Sequence, residues 1–222
     1  VVGEVDGDAA VGVQAVAEAG RLAGGRTLPL ALDLTQSACI PDAVLQVVAE
    51  LGRIDILVNC AGLTGDIATL LDMDEETWDL VHNINLKAPM LLMKYVARHM
   101  IGRGGGGRIV NVSSSSAFRA RSRVPYASAK AALVHLTHCV AAELGPHDIN
   151  VNAVAPGITA TPMTLSRGMA GLQQEVSGGR LENFLKRVSL PEDVAAAIVF
   201  LCLPGSRQIT GQTIHTSAGS VT

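Results

Sequence analysis

Short runs of aliphatic and β-branched residues recur along this chain, separated by longer stretches with helical character. The runs fall at 1–5, 28–32, 54–59, 108–112, 149–155 and 212–216; the helical stretches fall at 8–23, a segment ending near 51, 74–101, 126–144 and 191–203. A strand that feeds a helix and then another strand is the unit of a parallel sheet, whose strands are apolar on both faces because helices cover both. The alternation therefore predicts an α/β fold with a doubly wound, mostly parallel, Rossmann-like sheet. With 222 residues, 48% of them hydrophobic, the chain can bury one large core, and a single domain over 1–222 is expected.

The bulk properties narrow the function by exclusion. A net charge of −3 gives no reason to expect nucleic acid or an anionic membrane as partner. The longest apolar runs, such as 194–203, are too short to span a bilayer, and the start of the chain does not read as a signal peptide. Cys39, Cys60, Cys139 and Cys202 stand singly, without a CxxC or Cys/His spacing. Buried thiols in a reducing, cytoplasmic compartment are expected. His135 and His138 lie three apart without a nearby carboxylate, so no metal site is expected.

Chemistry concentrates at 108–130, where a strand ends in four consecutive serines, Ser113 to Ser116, and a helix opens near Tyr126. Tyr126 and Lys130 are four apart and share a helix face. A cationic ammonium beside a phenol favours the phenolate; lowering the pKa by three units takes about 4 kcal/mol. A serine hydroxyl opposite could hold a substrate oxygen while the phenol moves its proton. Taken alone, the same spacing also describes an ordinary surface pair.

The serine-bearing strand end followed by YASAK resembles the YxxxK signature of the short-chain dehydrogenase/reductase family. By that resemblance Tyr126 is the catalytic acid/base, Lys130 its activator and a cofactor-ribose ligand, and a serine the carbonyl anchor. The strand end selects Ser114, whereas the family spacing to Tyr126 selects Ser113; Ser114 is preferred because the strand fixes where a side chain emerges. ILVNCAG at 56–62 resembles the family's NNAG turn, with Cys60 in place of the second Asn, and assigns Asn59, Ala61 and Gly62 to cofactor binding. Asp33 and Leu34 match the position that borders the adenine. Asn85 matches the family's catalytic Asn, and Pro89, which has no N–H, leaves the Asn85 carbonyl free; a plain kink is the alternative. Pro156, Gly157 and Thr161 match PGxxxT, where the Ile158 backbone and the Thr161 hydroxyl meet the nicotinamide. ITGQT resembles the family's last strand.

The resemblance implies an oxidoreductase that transfers a hydride between a nicotinamide cofactor and an alcohol or ketone. Glu4, at the end of the first run, implies NAD(H) rather than NADP(H), because a carboxylate accepts from the ribose 2′-hydroxyl and repels a 2′-phosphate. No arginine or lysine follows within the next fifteen residues. The family's first strand and glycine-rich loop precede the point where residue 1 falls, so a fragment lacking about 30 to 35 residues is expected. Gly102, Gly104 and Gly107 satisfy GxGxxG, but they follow a helix and enter a strand, which reads as a flexible linker. The stretch from about 160 to 190 shows no firm periodicity and is expected to be a substrate lid. The helix at 126–144 is apolar nearly all round, which together with the family resemblance implies a homo-oligomer, a tetramer. Two alternatives stand beside this reading. Arg119, Arg121 and Arg123 suit a β-ketoacyl-ACP reductase meeting an acidic carrier protein, although three solvated arginines are the plainer account. A truncated, non-catalytic paralogue serving as a subunit is the other.

Overall fold

The computed structural model describes residues 7–65, 69–120 and 122–221, with side chains from residue 14 onward. Four strands, β1 (Ile56–Asn59), β2 (Gly107–Val112), β3 (Ile149–Pro156) and β4 (Thr213–Thr216), form a parallel sheet in that spatial order. Helices α1 (Gly7–Leu22), α2 (Ile40–Leu51), α3 (Glu75–His82), α4 (Ala88–Arg103), α5 (Val124–Leu144), α6 (Pro162–Leu165), α7 (Gly168–Gly178) and α8 (Pro191–Cys202) connect or flank them. The alternation of side chains along β2 and β3 builds the two layers. Ile109 and Val151 face a core made with Met93, Val96 and Met100 of α4 and Ala141 and Leu144 of α5. Val110 and Val154 face the other way, onto Leu201 of α8. Both faces are thus covered, as the nearly continuous burial of β3 requires.

Several expectations are corrected. Residues 28–32 form no strand, and no described strand lies beside them to complete a ladder. Leu32 and Leu34 are buried nonetheless, with Ile40, Ala43, Ile84 and Ala88. The run at 1–5, including Glu4, lies outside the described residues. On one side the described sheet ends at β1, where Ile56 and Val58 are 47% and 37% exposed. The helical stretch at 74–101 is three pieces: α3 capped by Asp74, a π-helical turn at Asn83–Lys87, and α4 with Pro89 in its first turn. Because Pro89 cannot donate to the carbonyl four residues back, the ladder slips to the longer i→i+5 spacing, as in Ala88 N–H to the Asn83 carbonyl. The result is a widened turn rather than a bare kink.

Within the glycine stretch at 102–107, Gly102 belongs to α4, Gly107 opens β2, and Gly104 to Gly106 connect them. Gly104, Gly105 and Gly106 all have positive φ, at 71°, 83° and 71°, and Arg103 donates to the Ile54, Gly104 and Gly106 carbonyls while pairing with Asp55 at 2.8 Å. A Cβ at Gly106 would sit 2.4 Å from the Asp148 carbonyl oxygen. Glycine here serves close approach and left-handed backbone, and the guanidinium fixes the loop. The segment after β3 also has more structure than its sequence suggests. α7 anchors only Leu172 and Val176 in a small cluster with Val188, too few positions to show a helical period. Its base is pinned where Ala160 N–H donates to the Ser189 carbonyl and Ser189 N–H to the Ile158 carbonyl, both at 2.9 Å. The four cysteines are free; Cys39, Cys60 and Cys139 are exposed and Cys202 is half-buried, so the expectation of buried thiols fails.

Candidate active site

The carboxyl ends of the parallel strands gather the candidate residues, as expected for this sheet architecture. The serine ambiguity is resolved geometrically. Residues 109, 111 and 113 alternate toward α5, so Ser113 is buried beneath that helix and its Oγ donates to the Lys130 carbonyl at 2.9 Å. Ser114, one residue on, leaves the strand in an extended conformation, caps the 3₁₀ turn at Ser115–Phe118, and stands close enough to the Tyr126 phenol to lower its pKa. Tyr126 and Lys130 sit in the first two turns of α5, which Pro125 opens.

Lys130 is 3% exposed, and its Nζ donates to the Val112 carbonyl at 2.8 Å and lies 5.8 Å from the centre of the Tyr126 ring. Burial pushes its pKa down to about 8, opposed by the Cys60 thiol. Tyr126 is shifted the other way from the expectation built on its neighbour: burial raises the phenol first, while the Ser114 hydrogen bond and the charge of Arg123 lower it and Cys60 raises it further. Cys60 is itself pushed up by burial and pulled back by Lys130, although the residue as a whole is exposed.

Asn85 is fully buried. Its side-chain amide donates to the Leu63 and Val81 carbonyls at 2.7 and 2.8 Å and accepts from Leu63 N–H at 3.3 Å. A Cβ on Gly62 would stand 3.1 Å from Asn85 Oδ1 and 3.4 Å from Lys130 Nζ. The glycine therefore lets the turn after β1 close over both side chains, bringing Asn85, Gly62 and Lys130 into one cluster with Ser114 and Tyr126 alongside. Asn59 donates to Asn111 Oδ1 at 2.8 Å, and Asn111 to Thr137 Oγ1 at 2.9 Å, tying β1, β2 and α5 together. Asn59 Oδ1 is buried without a partner among the described residues. Ala61 packs against the Leu32 cluster.

On the far side of the cleft, Gly157 lies so close to Ser217 that a Cβ would meet Ser217 Cα at 2.9 Å. Ile158 gives its carbonyl to Ser189 N–H, and Thr161 caps α6, its N–H donating to Thr164 Oγ1 at 3.1 Å. Pro156 ends β3. Asp33 and Leu34 precede α2, and Leu34 belongs to the core cluster against which Ala61 and Leu63 pack. The Asp33 carboxylate accepts from Thr35 N–H and Oγ1 at 2.9 and 2.7 Å, an Asx turn. Leu34 is 6% exposed and its side chain belongs to the core.

The arginine loop is not simply solvated. Arg123 NH1 donates to the Thr64 hydroxyl and to the Gly65 carbonyl, and Arg119 NH2 to the Ser220 carbonyl at 3.1 Å; Arg121 lies outside the described residues. Arg123 is the site residue that sequence reasoning missed, because its partners are 58 and 59 residues away. His135 and His138 stack at 6.4 Å, and no group of three or more potential metal ligands occurs among the described residues. No helix among them is long and apolar enough to cross a membrane.

Comparison with known proteins bears on this geometry. A family model described as enoyl-(acyl carrier protein) reductase matches residues 2–220. The chain belongs to the short-chain dehydrogenase/reductase family. It is 42% identical to the short-chain reductase protein NovJ of Streptomyces niveus over 202 residues, covering 90% of this chain and 76% of that protein. It is 40% identical over 198 residues to the 3-oxoacyl-(acyl-carrier-protein) reductase FabG of Thermotoga maritima, covering 89% and 78%. Among solved structures it is similar to a short-chain dehydrogenase from Burkholderia cenocepacia J2315 in complex with NADP, with a TM-score of 0.84 and 32% identity, covering 93% of this chain and 82% of that one. An oxidoreductase of α/β architecture is therefore the class to which the site belongs.

Proposed function

We propose that this domain transfers a hydride between a nicotinamide cofactor and the carbonyl or alcohol carbon of a small molecule. The placement of the Ser114 hydroxyl at the Tyr126 phenol, whose pKa it lowers, one helical turn from the buried ammonium of Lys130, carries the reading. The turn at Ala61 and Gly62, where a side chain would strike Asn85 and Lys130, and the unpartnered Asn59 Oδ1 fit a cofactor approaching the main chain. Gly62, Lys130, Pro156, Gly157, Ile158 and Thr161 would hold its nicotinamide and ribose, and the bound cofactor supplies or accepts the hydride. Asp33, engaged in its own turn, would lie at the adenine end.

In the reducing direction, Ser114 Oγ–H donates to the substrate oxygen and holds it beside the phenol. Tyr126 Oη gives its proton to that oxygen as negative charge develops there; in the oxidising direction it takes the proton back. The positive charge of Lys130 stabilises the phenolate that forms, and Asn85 holds the turn at Leu63 over the ammonium. The lid near 160–190, pinned at its base beside Ile158, shields the cleft from water.

For the cofactor, Glu4 favours NAD(H), whereas the Burkholderia relative was solved with NADP; the preference is tested below. Reduction of a β-ketoacyl thioester is a second reading, favoured by the 40% identity to the Thermotoga reductase. It draws little from the arginine loop, since Arg119 and Arg123 are engaged within the chain. The test uses protein expressed from the full reading frame and a panel of ketones, β-ketoacyl thioesters and secondary alcohols with both cofactors. Tyr126→Phe should lose turnover at least a hundredfold while still binding cofactor, since only the transferable proton is removed. Near-full kcat in that variant would sink the mechanism.

A further inference from the structure

We infer that Arg123 is a positioning residue that clamps the loop 62–65 over the acid/base pair and holds a fixed positive charge toward Tyr126. This rests on the reading of Tyr126 as acid/base. Arg123 is the N-cap residue of α5, three residues before Tyr126 and so in the same first turn, and it offers its helix no side-chain cap. Its guanidinium instead crosses to the loop after β1, donating from NH1 to Thr64 Oγ1 and to the Gly65 carbonyl. That loop is held at its other end by Asn85, through both main-chain groups of Leu63. Just before these anchors it passes Lys130 Nζ at Gly62. The loop over the site is therefore fixed from α5 on one side and from the π-helical turn on the other.

Both contacts from Arg123 end on neutral groups, so they orient the guanidinium without neutralising it. The groups acting on the phenol are Ser114 from the end of β2, Cys60 from the turn after β1 and Arg123 from the start of α5, with Lys130 5.8 Å from its ring. Of these, Arg123 supplies an always-charged cation. Lys130, depressed to about 8, is partly neutral in the alkaline range where a phenol ionises. The charge of Arg123 does not fade there, and it counters the burial that raises Tyr126.

The chain has two tyrosines, Tyr95 and Tyr126, so ring-labelled tyrosine NMR reads both, with Tyr126→Phe assigning the signals. Arg123→Gln should raise the Tyr126 titration by about half a pH unit or more, a roughly threefold loss of phenolate at a given pH, with Tyr95 unmoved. Amide exchange at 62–65 should quicken about tenfold or more as the clamp is lost. Arg123→Lys should keep the titration near its parent value, because the charge remains, and recover the exchange protection only in part, because a shorter, flexible ammonium replaces the planar NH1 that makes both bonds. An unchanged Tyr126 titration in a folded Arg123→Gln protein overturns the inference, as does unchanged exchange at 62–65 or a parent Tyr126 signal that does not titrate. Turnover in Tyr126→Phe would instead refute the acid/base reading and leave these two measurements standing.

Discussion

Replacing Lys130 by Met should stabilise the protein near neutral pH and destabilise it in alkali, a reversal that follows from how the ammonium is buried. The side chain is 3% exposed, with its Nζ on the Val112 carbonyl. Burial takes its pKa from 10.5 to about 8. At about 1.4 kcal/mol per pKa unit, holding the charge inside the fold costs about 3 kcal/mol. Met fills a similar volume and removes that cost, but it leaves the Val112 carbonyl without its donor, a loss of about 1 to 3 kcal/mol. Near pH 7 the variant should therefore equal or exceed the parent by up to about 2 kcal/mol.

The sign with pH follows from proton counting. Between about 8 and 10.5 the unfolded chain holds a proton on Lys130 that the folded protein has released, so parental stability rises with pH through this window. Above it the lysine is neutral in both states, the burial cost is gone, and only the hydrogen bond to Val112 separates the two proteins in the parent's favour. Urea denaturation of parent and variant at steps from about pH 7 to 10.5 reads the difference directly, because other alkaline titrations are common to both. Trp78, the single tryptophan, stacks on His82 at 4.0 Å and offers a fluorescence signal for unfolding. A parent-minus-variant difference that stays within about 0.5 kcal/mol across this range would refute the argument, since the linkage demands about 3.

Ser114→Ala should lower kcat sharply with little loss of stability, whereas Ser113→Ala should cost about 1 kcal/mol through its bond to the Lys130 carbonyl and retain most turnover; steady-state kinetics beside urea melts separate them. Glu4→Ala should move the ratio of kcat/KM for the two cofactors toward NADP(H) by about tenfold, the loss of one charged hydrogen bond; a parent that prefers NADP(H), or an unchanged ratio, removes Glu4 as the discriminator. The protein should be a homo-oligomer, a tetramer, because α5 exposes Ala131 and Cys139 while its own sheet already buries Ala129, Leu133 and Ala141; a monomer by sedimentation at micromolar concentration would oppose this.

What could be read from the sequence divides by the range of the interaction. β2 and β3 were legible because each is a short run rich in Val, Ile and Ala, a property of each segment alone, although Asn111, Asn150 and Asn152 are buried within them. The run at 28–32 is also apolar but forms no strand: Pro29 cannot donate to a ladder, and no described strand lies beside it. The glycines at 102–107 resemble a flexible linker until the reach of Arg103 to Ile54, 49 residues away, is known. Exposure of Cys39, Cys60 and Cys139 shows the limit of arguing from what a residue type does on average.

The same division runs through the candidate site. Tyr126 and Lys130 announce themselves by a local spacing on one helix, and the strand's alternation suffices to separate Ser113 from Ser114. The electrostatics do not follow from that spacing. An ammonium four residues from a phenol suggests a lowered pKa, yet burial of both groups reverses the expected direction for Tyr126 and makes Lys130 a weaker cation at alkaline pH. The charge that persists comes from Arg123, whose partners Thr64 and Gly65 are remote in sequence. Two cations with different persistence would give the pH profile two causes: Lys130 acting below about 8 and Arg123 at every pH. Lys130→Met and Arg123→Gln should accordingly shift the kcat/KM profile differently, the first losing most below that value and the second displacing the whole curve. Identical shifts from both substitutions would mean that a single cation governs the phenol, and the division of roles between them would be wrong.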